Sequence, residues 1–326
     1  MRLIFLTVFQ ILVVTIFLLL SVAFITLLER KVLAVIQRRQ GPNVIGVFGL
    51  LQPLADGFKL LMKESIIPSN SNKLLFQLAP IISFFLSLLG WGVIPFAKEA
   101  MIADLTLGIM YILSVSSLGI YGIIISGWSS NSKYSFLGAL RSSAQMISYE
   151  LSMGFSLIAV VLCSGSLNLN FMIYSQRHIW YFIPLFIPFI IFFISSLAET
   201  NRHPFDLPEA ESELVSGYNV EYSAMGFALF SLAEYSNILL MCSLNTILFW
   251  GGWYPPLSLF SFLPFSFWFG IKVTVFAIIF VYARAVLPRY RYDQLMNLGW
   301  KILLPLSFGY LIFIICILSA FNMYSY

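Results

Sequence analysis

Residues 3–28, LIFLTVFQILVVTIFLLLSVAFITLL, run for 26 positions without a charged side chain. A helix rises about 1.5 Å per residue, so roughly 20 apolar residues cross the hydrocarbon of a bilayer. The stretch is too long for the core of a signal peptide, and no small-residue cleavage site follows it. It reads as a first membrane span. No Arg- and Ser-rich segment precedes it, which is compatible with synthesis inside an organelle or a bacterium.

The remaining sequence has the same character. The 326 residues are 60% hydrophobic and 10% charged, with mean hydropathy +0.92. Soluble domains carry about 25% charged residues, so the chain is an integral membrane protein. The net charge of +4 reflects basic loops, not a surface for nucleic acid. Cys163, Cys242 and Cys316 are scattered through apolar segments, with no C-x-x-C pair. That argues against a cluster, a structural zinc or a disulfide framework. His178 and His203 lie near segment ends, whereas haem in a membrane protein needs axial His within its helices. The sequence therefore offers no metal site and no ligands for a redox cofactor of its own.

The reading is an all-α polytopic fold in one membrane domain, 1–326. Eight spans are expected near 3–28, 74–96, 104–127, 143–165, 179–198, 222–248, 265–287 and 302–323. The charge-free run 235–271 is too long for one span, and Gly251, Gly252, Pro255 and Pro256 divide it. Loops after the odd spans, with their flanks, hold 14 Lys and Arg, while the other side holds Arg2, Lys98 and Arg177. The positive-inside rule puts the odd loops in the cytoplasm or matrix and both termini outside. Lys272 falls within the seventh span, either as a weak relay candidate or as a side chain that snorkels outward.

The acids also gather on the inner side, where orientation rules do not require them. The first inner loop opens with ERKVLAVIQRRQGPN, whose Gly41-Pro42-Asn43 marks a turn. LLQPLADGFKLLMKES follows as an amphipathic helix, with Leu51, Leu54, Phe58 and Leu61 on one face and Asp56, Lys59 and Lys63 on another. It lies in the membrane interface or seals the loop as an ordinary surface helix.

The stretch ETNRHPFDLPEAESELVSGYNVEYS, 199–223, holds Glu199, Asp206, Glu209, Glu211, Glu213 and Glu221, six of the chain's 14 acids. Asp206 suits an N-cap before a helix starting near Pro208. On that helix Glu209 and Glu213 share a face, and Glu211 points elsewhere. Like-charged neighbours in a poorly hydrated place favour protonation. Glu150 follows SAQMISY at the inner end of the fourth span, and Glu234 lies about mid-membrane in the sixth. A carboxylate there costs several kcal/mol when charged, so it is either a functional-site candidate or a buried neutral acid. A solvated acidic loop accounts for the loop acids alone; a series from 209, 213 and 221 down to 234 is what a proton path needs. The last inner loop, RAVLPRYRYDQLMNLGWK, interleaves Arg284, Arg289 and Arg291 with Tyr290 and Tyr292, a pattern for headgroup anchoring or ion pairing with a partner.

Together ERKVLAVIQRRQGPN (29–43), GLLQPLADGFKLLMKE (49–64), GWSSNSKYSFLGALRSSAQMISYE (127–150), 199–222 and RAVLPRYRYDQLMNLGWK (284–301) closely resemble one family. It is the respiratory complex I membrane subunit called chain 1 in mitochondria, together with its bacterial counterpart. The likeness spans nearly the whole chain, keeps motif order, and is nearest to mitochondrial members of plant or protist type. It implies a subunit of a proton-pumping NADH:ubiquinone oxidoreductase whose inner loops form the membrane half of the quinone chamber. By that resemblance Glu29, Arg30, Arg39, Asp56, Glu64 and Arg284 line or brace the tunnel. Glu199, Asp206, Glu209, Glu211 and Glu213 form the acidic loop beside it, and Glu150, Glu221 and Glu234 begin a carboxylate path. Ubiquinone is then the substrate, and FMN, NADH and iron–sulfur clusters sit in partner subunits. Soluble quinone-site subunits would dock on the inner face and membrane-arm subunits laterally, in the mitochondrial inner membrane with termini in the intermembrane space. A bacterial plasma membrane is the alternative location. His203 departs from the family's usual small or hydroxylated residue, as a tuning group or a tolerated variant. Two other functions compete: a stand-alone proton-coupled carrier, whose paired broken helices the sequence lacks, and a scaffold whose acids only bind partners.

Overall fold

The computed structural model describes residues 2–98, 100–206, 217–256 and 262–321. Eleven α-helices are described: α1 Arg2–Ile36, α2 Gln52–Met62, α3 Lys73–Leu89, α4 Gly108–Ser129, α5 Lys133–Ser164, α6 Leu169–Ser175, α7 Phe186–Glu199, α8 Ala224–Phe249, α9 Phe265–Val286, α10 Tyr292–Asn297 and α11 Leu304–Ala320. A π-helical turn, Leu298–Leu303, joins α10 to α11. Seven continuous helical stretches are long and apolar enough to cross a membrane, and α7 is an eighth, shorter apolar helix. The all-helical polytopic fold matches the sequence expectation, with four revisions to span limits.

First, α1 continues beyond residue 28 through ERKVLAVI, because nothing there breaks a helix. It ends at Arg38, whose left-handed φ of 55° lets Arg39 N–H reach Ala34 O at 2.9 Å and Arg38 N–H reach Val35 O at 3.0 Å. That is the bonding of a Schellman end. Glu29 and Arg30 thus ride on the spanning helix itself. Second, α5 begins at Lys133, ten residues before the expected span, where the Ser132 hydroxyl caps Ser135 N–H at 3.3 Å. Third, α7 has only 14 residues, about 21 Å at the helical rise. Pro184 keeps the residue before it out of the helix, and the preceding turns bury Tyr181 and Leu185 while Ile179 and Ile183 stay exposed. Fourth, the last span is continuous from Tyr292 to Ala320.

The loops after the first, third, fifth and seventh spans meet at one end. Ile66 N–H donates to Ser223 at 3.0 Å, Asn131 to Asn70 O at 3.2 Å, and Tyr290 N–H to Pro204 O at 3.2 Å. The other loops meet at the opposite end, where Asn168 donates to Asp104 at 2.7 Å and Gly251 N–H to Gln176 at 3.0 Å. Lys272 belongs to this second end and does not snorkel away. It is buried, donates to the carbonyls of Trp250, Gly252 and Tyr254 at 2.6, 3.0 and 2.7 Å, and lies 4.3 Å from the Trp180 ring.

Small residues bring the central helices together. Gly138 on α5 packs so close to Gly217 that an added Cβ would lie 2.8 Å from the Gly217 Cα. Buried Ser142, Ser152 and Ser156 each return their hydroxyl hydrogen to a carbonyl three residues back, at 2.9, 2.9 and 2.7 Å. The polar groups are thereby satisfied inside one helix. The amphipathic α2 lies against α1 and α8 with Asp56 turned inward, while Leu51, Leu54, Phe58 and Leu61 are each more than half exposed. An unpartnered apolar stripe favours the interfacial reading over a helix that seals its own loop.

Candidate functional site

Glu29 is the centre of a charged cluster between α1, α8 and α9. It is 6% exposed. Arg202 reaches it at 3.2 Å, Arg284 pairs with it directly, and the Tyr235 hydroxyl donates to it at 2.7 Å. Arg202 also lies 4.4 Å over the Tyr235 ring. Burial opposes the charge on Arg202, but Glu29 beside it, with Tyr235 and Glu234, holds its pKa above the ordinary guanidinium value. Two cations against one anion leave the cluster net positive. Ile25, Ala277 and Phe280 close a narrow cavity beside it.

Further out the ion pairs are less buried. Arg289 approaches Asp206 at 3.5 Å, and Arg30 meets Asp56 at 2.6 Å with side chains 50% and 37% exposed. Such exposed pairs contribute little. Arg30, Asp56, Lys59, Lys63, Tyr222 and Phe227 line an open groove between α2 and the start of α8. His203 is held below its usual pKa by burial and then by Arg289 and Arg284, so it is neutral near pH 7.

A second constellation lies deeper in the bundle. Glu199 and Glu234 line one cavity of about 80 Å³, with Ser83, Ser87, Ser116 and Asn237 among its walls. The Tyr218 hydroxyl, which reaches the same cavity, donates to Glu234 at 2.6 Å. Ser116 stands within hydrogen-bonding reach of both Glu199 and Glu150, 3.3 Å from the latter, and Ser117 donates to Glu150 at 2.5 Å. Glu150 is the eighteenth of 32 residues in α5, so it sits mid-helix and not at the inner end of its span. The long polar start of α5 accounts for that correction. Glu150 is half-buried, on the flank that α4 and α5 share.

Adjacent residues on α8 join the two constellations. Successive side chains on a helix point about 100° apart. Glu234 faces the cavity, and Tyr235 faces Glu29. The structure thus brings Glu29 to Arg284 and Glu199 to Glu234 and Glu150, and at the rim it pairs Asp206 with Arg289 and Arg30 with Asp56. Arg39 and Glu64 are exposed, Arg39 donating to Gln37 at 2.8 Å. Glu221 lies half-buried in the turn before α8 and lines neither cavity. Glu209, Glu211, Glu213 and the helix expected from Pro208 lie outside the described residues. Sequence reasoning passed over Arg202, Tyr218 and Tyr235. Only the proximity of Arg202 to the acidic run, and of Tyr235 to Glu234, could have pointed to two of them. Among the described residues no three His, Cys, Asp or Glu side chains form a metal-ligating group.

The chain matches the family model described as NADH dehydrogenase over residues 9–315. It is 62% identical over 296 residues to NADH-ubiquinone oxidoreductase chain 1 of Chondrus crispus, covering 90% of this chain and 91% of that one. Chain 1 of Arabidopsis thaliana is 60% identical over 281 residues, 86% of each chain. A bacterial relative, an NADH-quinone oxidoreductase subunit of Pelagibacter ubique, is 55% identical over 325 residues, 99% of this chain and 98% of that one. A match of that extent, on a helical membrane fold with clustered carboxylates, leaves one conclusion: the chain belongs to the NADH dehydrogenase family, alongside the mitochondrial chain 1 proteins and their bacterial counterparts.

Proposed function

We propose that this chain is the core membrane subunit of a proton-pumping NADH:ubiquinone oxidoreductase, with the Glu29 cluster at the membrane half of the quinone chamber and Glu234, Glu199 and Glu150 as the start of a carboxylate path. The observation that carries the reading is the cavity that Glu234 and Glu199 share, continued through Ser116 to Glu150. Ubiquinone enters as substrate. NADH, FMN and iron–sulfur clusters belong to partner subunits, which deliver the electrons.

Each part of the chain has a definable task. Reducing a quinone to a quinol consumes two electrons and two protons, so negative charge develops at the headgroup before protons arrive. A net positive Arg202–Glu29–Arg284 group favours that charge at short range. Any change in charge at Glu29 or Arg202 is felt at Glu234, because Arg202 interacts with both carboxylates. From Glu234 a proton needs carriers that both give and take. Waters fit a cavity of about 80 Å³ beside Ser83, Ser87 and Asn237, and the Tyr218, Ser116 and Ser117 hydroxyls stand between or beside the acids.

The count of 14 basic residues against 3 supports placing the charged end in the mitochondrial matrix and both termini in the intermembrane space. The half-buried flank at Glu150 supports a lateral membrane-arm partner there, and the charged end supports soluble quinone-site partners. The test is mild extraction, native gel separation, and NADH:quinone activity with inhibitor sensitivity in each band. Migration in a very large assembly with that activity is the expected result. Migration alone or as a small oligomer without it would overturn the subunit reading and reopen the carrier. Within the assembly, Glu234→Gln and Glu199→Gln should abolish coupled proton movement; variants that pump normally would remove the path.

A further inference from the structure

Gln145 is fully buried on α5 and spends one amide group on two carbonyls. Its Nε2 donates to Ala198 O at 2.8 Å and to Phe205 O at 2.9 Å. A primary amide has two hydrogens, and both are used. Ala198 lies in the last turn of α7, where its carbonyl also accepts from the Asn201 N–H at 3.3 Å. The chain between these two carbonyls carries Glu199 and Arg202, and Asp206 follows Phe205 directly. The turn is thus closed on one side chain of another helix. Phe205 is held further by its ring, 5.7 Å from that of Tyr149 and 5.7 Å from that of Tyr290.

Gln145 lines neither cavity, and its Nε2 bonds go to main-chain carbonyls. A methionine would fill the same volume but leave Phe205 O without its amide donor and strip Ala198 O of one of its donors. The amide is therefore a geometric device. Glu150 lies five residues along the same helix, about 140° around its axis, so α5 grips the turn with one face and presents Glu150 to α4 with another.

We propose that Gln145 is a positioning residue for the carboxylate path, its amide setting Glu199, Arg202 and Asp206 in register with Glu150. The proposal rests on the path reading above. In the assembled complex in native membranes, Gln145→Met should leave assembly and NADH oxidation by an artificial acceptor that bypasses quinone unchanged. Quinone turnover should fall by roughly tenfold to a hundredfold, since small misplacements of reacting groups have effects of that size. The loss should appear in kcat, with KM for a short-chain quinone unchanged and the pH profile displaced. Gln145→Asn, an amide on a shorter arm, should fall between. Wild-type turnover and pH profile in Gln145→Met would overturn the proposal. If neither variant assembles, hydrogen exchange on the wild-type complex decides: amides of 199–206 should exchange as slowly as those of α5 around Gln145, and rapid exchange would overturn it. Loss of the path itself shows instead as normal pumping in Glu199→Gln and Glu234→Gln, with slow exchange of 199–206 preserved.

Discussion

Replacing Glu29 by Gln removes the carboxylate that Arg202 pairs with in the cluster, while keeping size and hydrogen-bonding capacity. The Arg202 side chain is 17% exposed and that of Glu29 is 8% exposed, so water cannot take over. Breaking a buried pair by removing one partner costs about 3 to 5 kcal/mol. The Arg284 side chain is 40% exposed, and its share falls within the ~1 kcal/mol of a solvent-screened pair. Glu29→Gln should therefore be far more damaging than Arg284→Leu. The assay is the rate of irreversible thermal loss of quinone reduction in membranes at one fixed temperature, normalised to the artificial-acceptor activity. If the pair is absent from the inactivation transition state, the rate rises by about two to three decades in Glu29→Gln. It rises less than about tenfold in Arg284→Leu. The double variant Glu29→Gln with Arg202→Leu should recover part of the loss, with a coupling of about 2 kcal/mol, because no charge is then stranded. A Glu29→Gln complex as durable as wild type, or a double variant whose losses simply add, would refute the claim that Arg202 depends on Glu29.

Tyr218→Phe removes the hydroxyl that donates to Glu234 at 2.6 Å. A side-chain hydrogen bond contributes about 1 kcal/mol, so turnover and pumping should drop together by about fivefold, and unchanged pumping refutes a role for this hydroxyl. Lys272→Met strands three carbonyls at the far end of the bundle and should destabilise the complex by about 3 kcal/mol, read as earlier thermal loss, while leaving the quinone KM unchanged. His203 is neutral in the fold because its pKa is lowered, whereas the unfolded chain gains a proton there below about pH 6.5. Stability should thus fall as pH drops through that value, and His203→Asn should flatten the slope between pH 7 and 5.5; identical slopes would refute it.

The spans were legible because length and hydropathy alone decide who crosses a bilayer. Their inner ends were not. ERKVLAVI and KYSFLGALRS look like loop by charge and polarity, yet both are helix: the first has no Gly or Pro to break α1, and the second is capped by Ser132 and carries Gly138 where it packs against Gly217. Tertiary packing, not composition, then makes room for their polar side chains. The same shift moved Glu150 from a helix end to mid-helix. Carboxylates at the site were legible because they are rare in so apolar a chain. Arg202, Tyr235, Tyr218 and Gln145 were not, since their roles exist only after distant segments meet. Tyr235 bonds to a residue 206 positions away, and Gln145 to one 60 away. Nothing local distinguishes them from an ordinary interfacial Tyr or helix Gln.

The adjacency of Glu234 and Tyr235 makes α8 an axle with two cams. Side-chain tips stand about 6 Å from a helix axis, so a 10° turn moves each by about 1 Å. That is enough to break the 2.6 Å bond at one cam and the 2.7 Å bond at the other. The axle is also stiff: α8 contains no proline, and its one glycine, Gly226, lies in the first turn. Torque applied on the Glu29 side reaches the cavity without slack, so neither contact can be retuned alone. A substitution that eases one must be answered at the other, or the two fall out of phase.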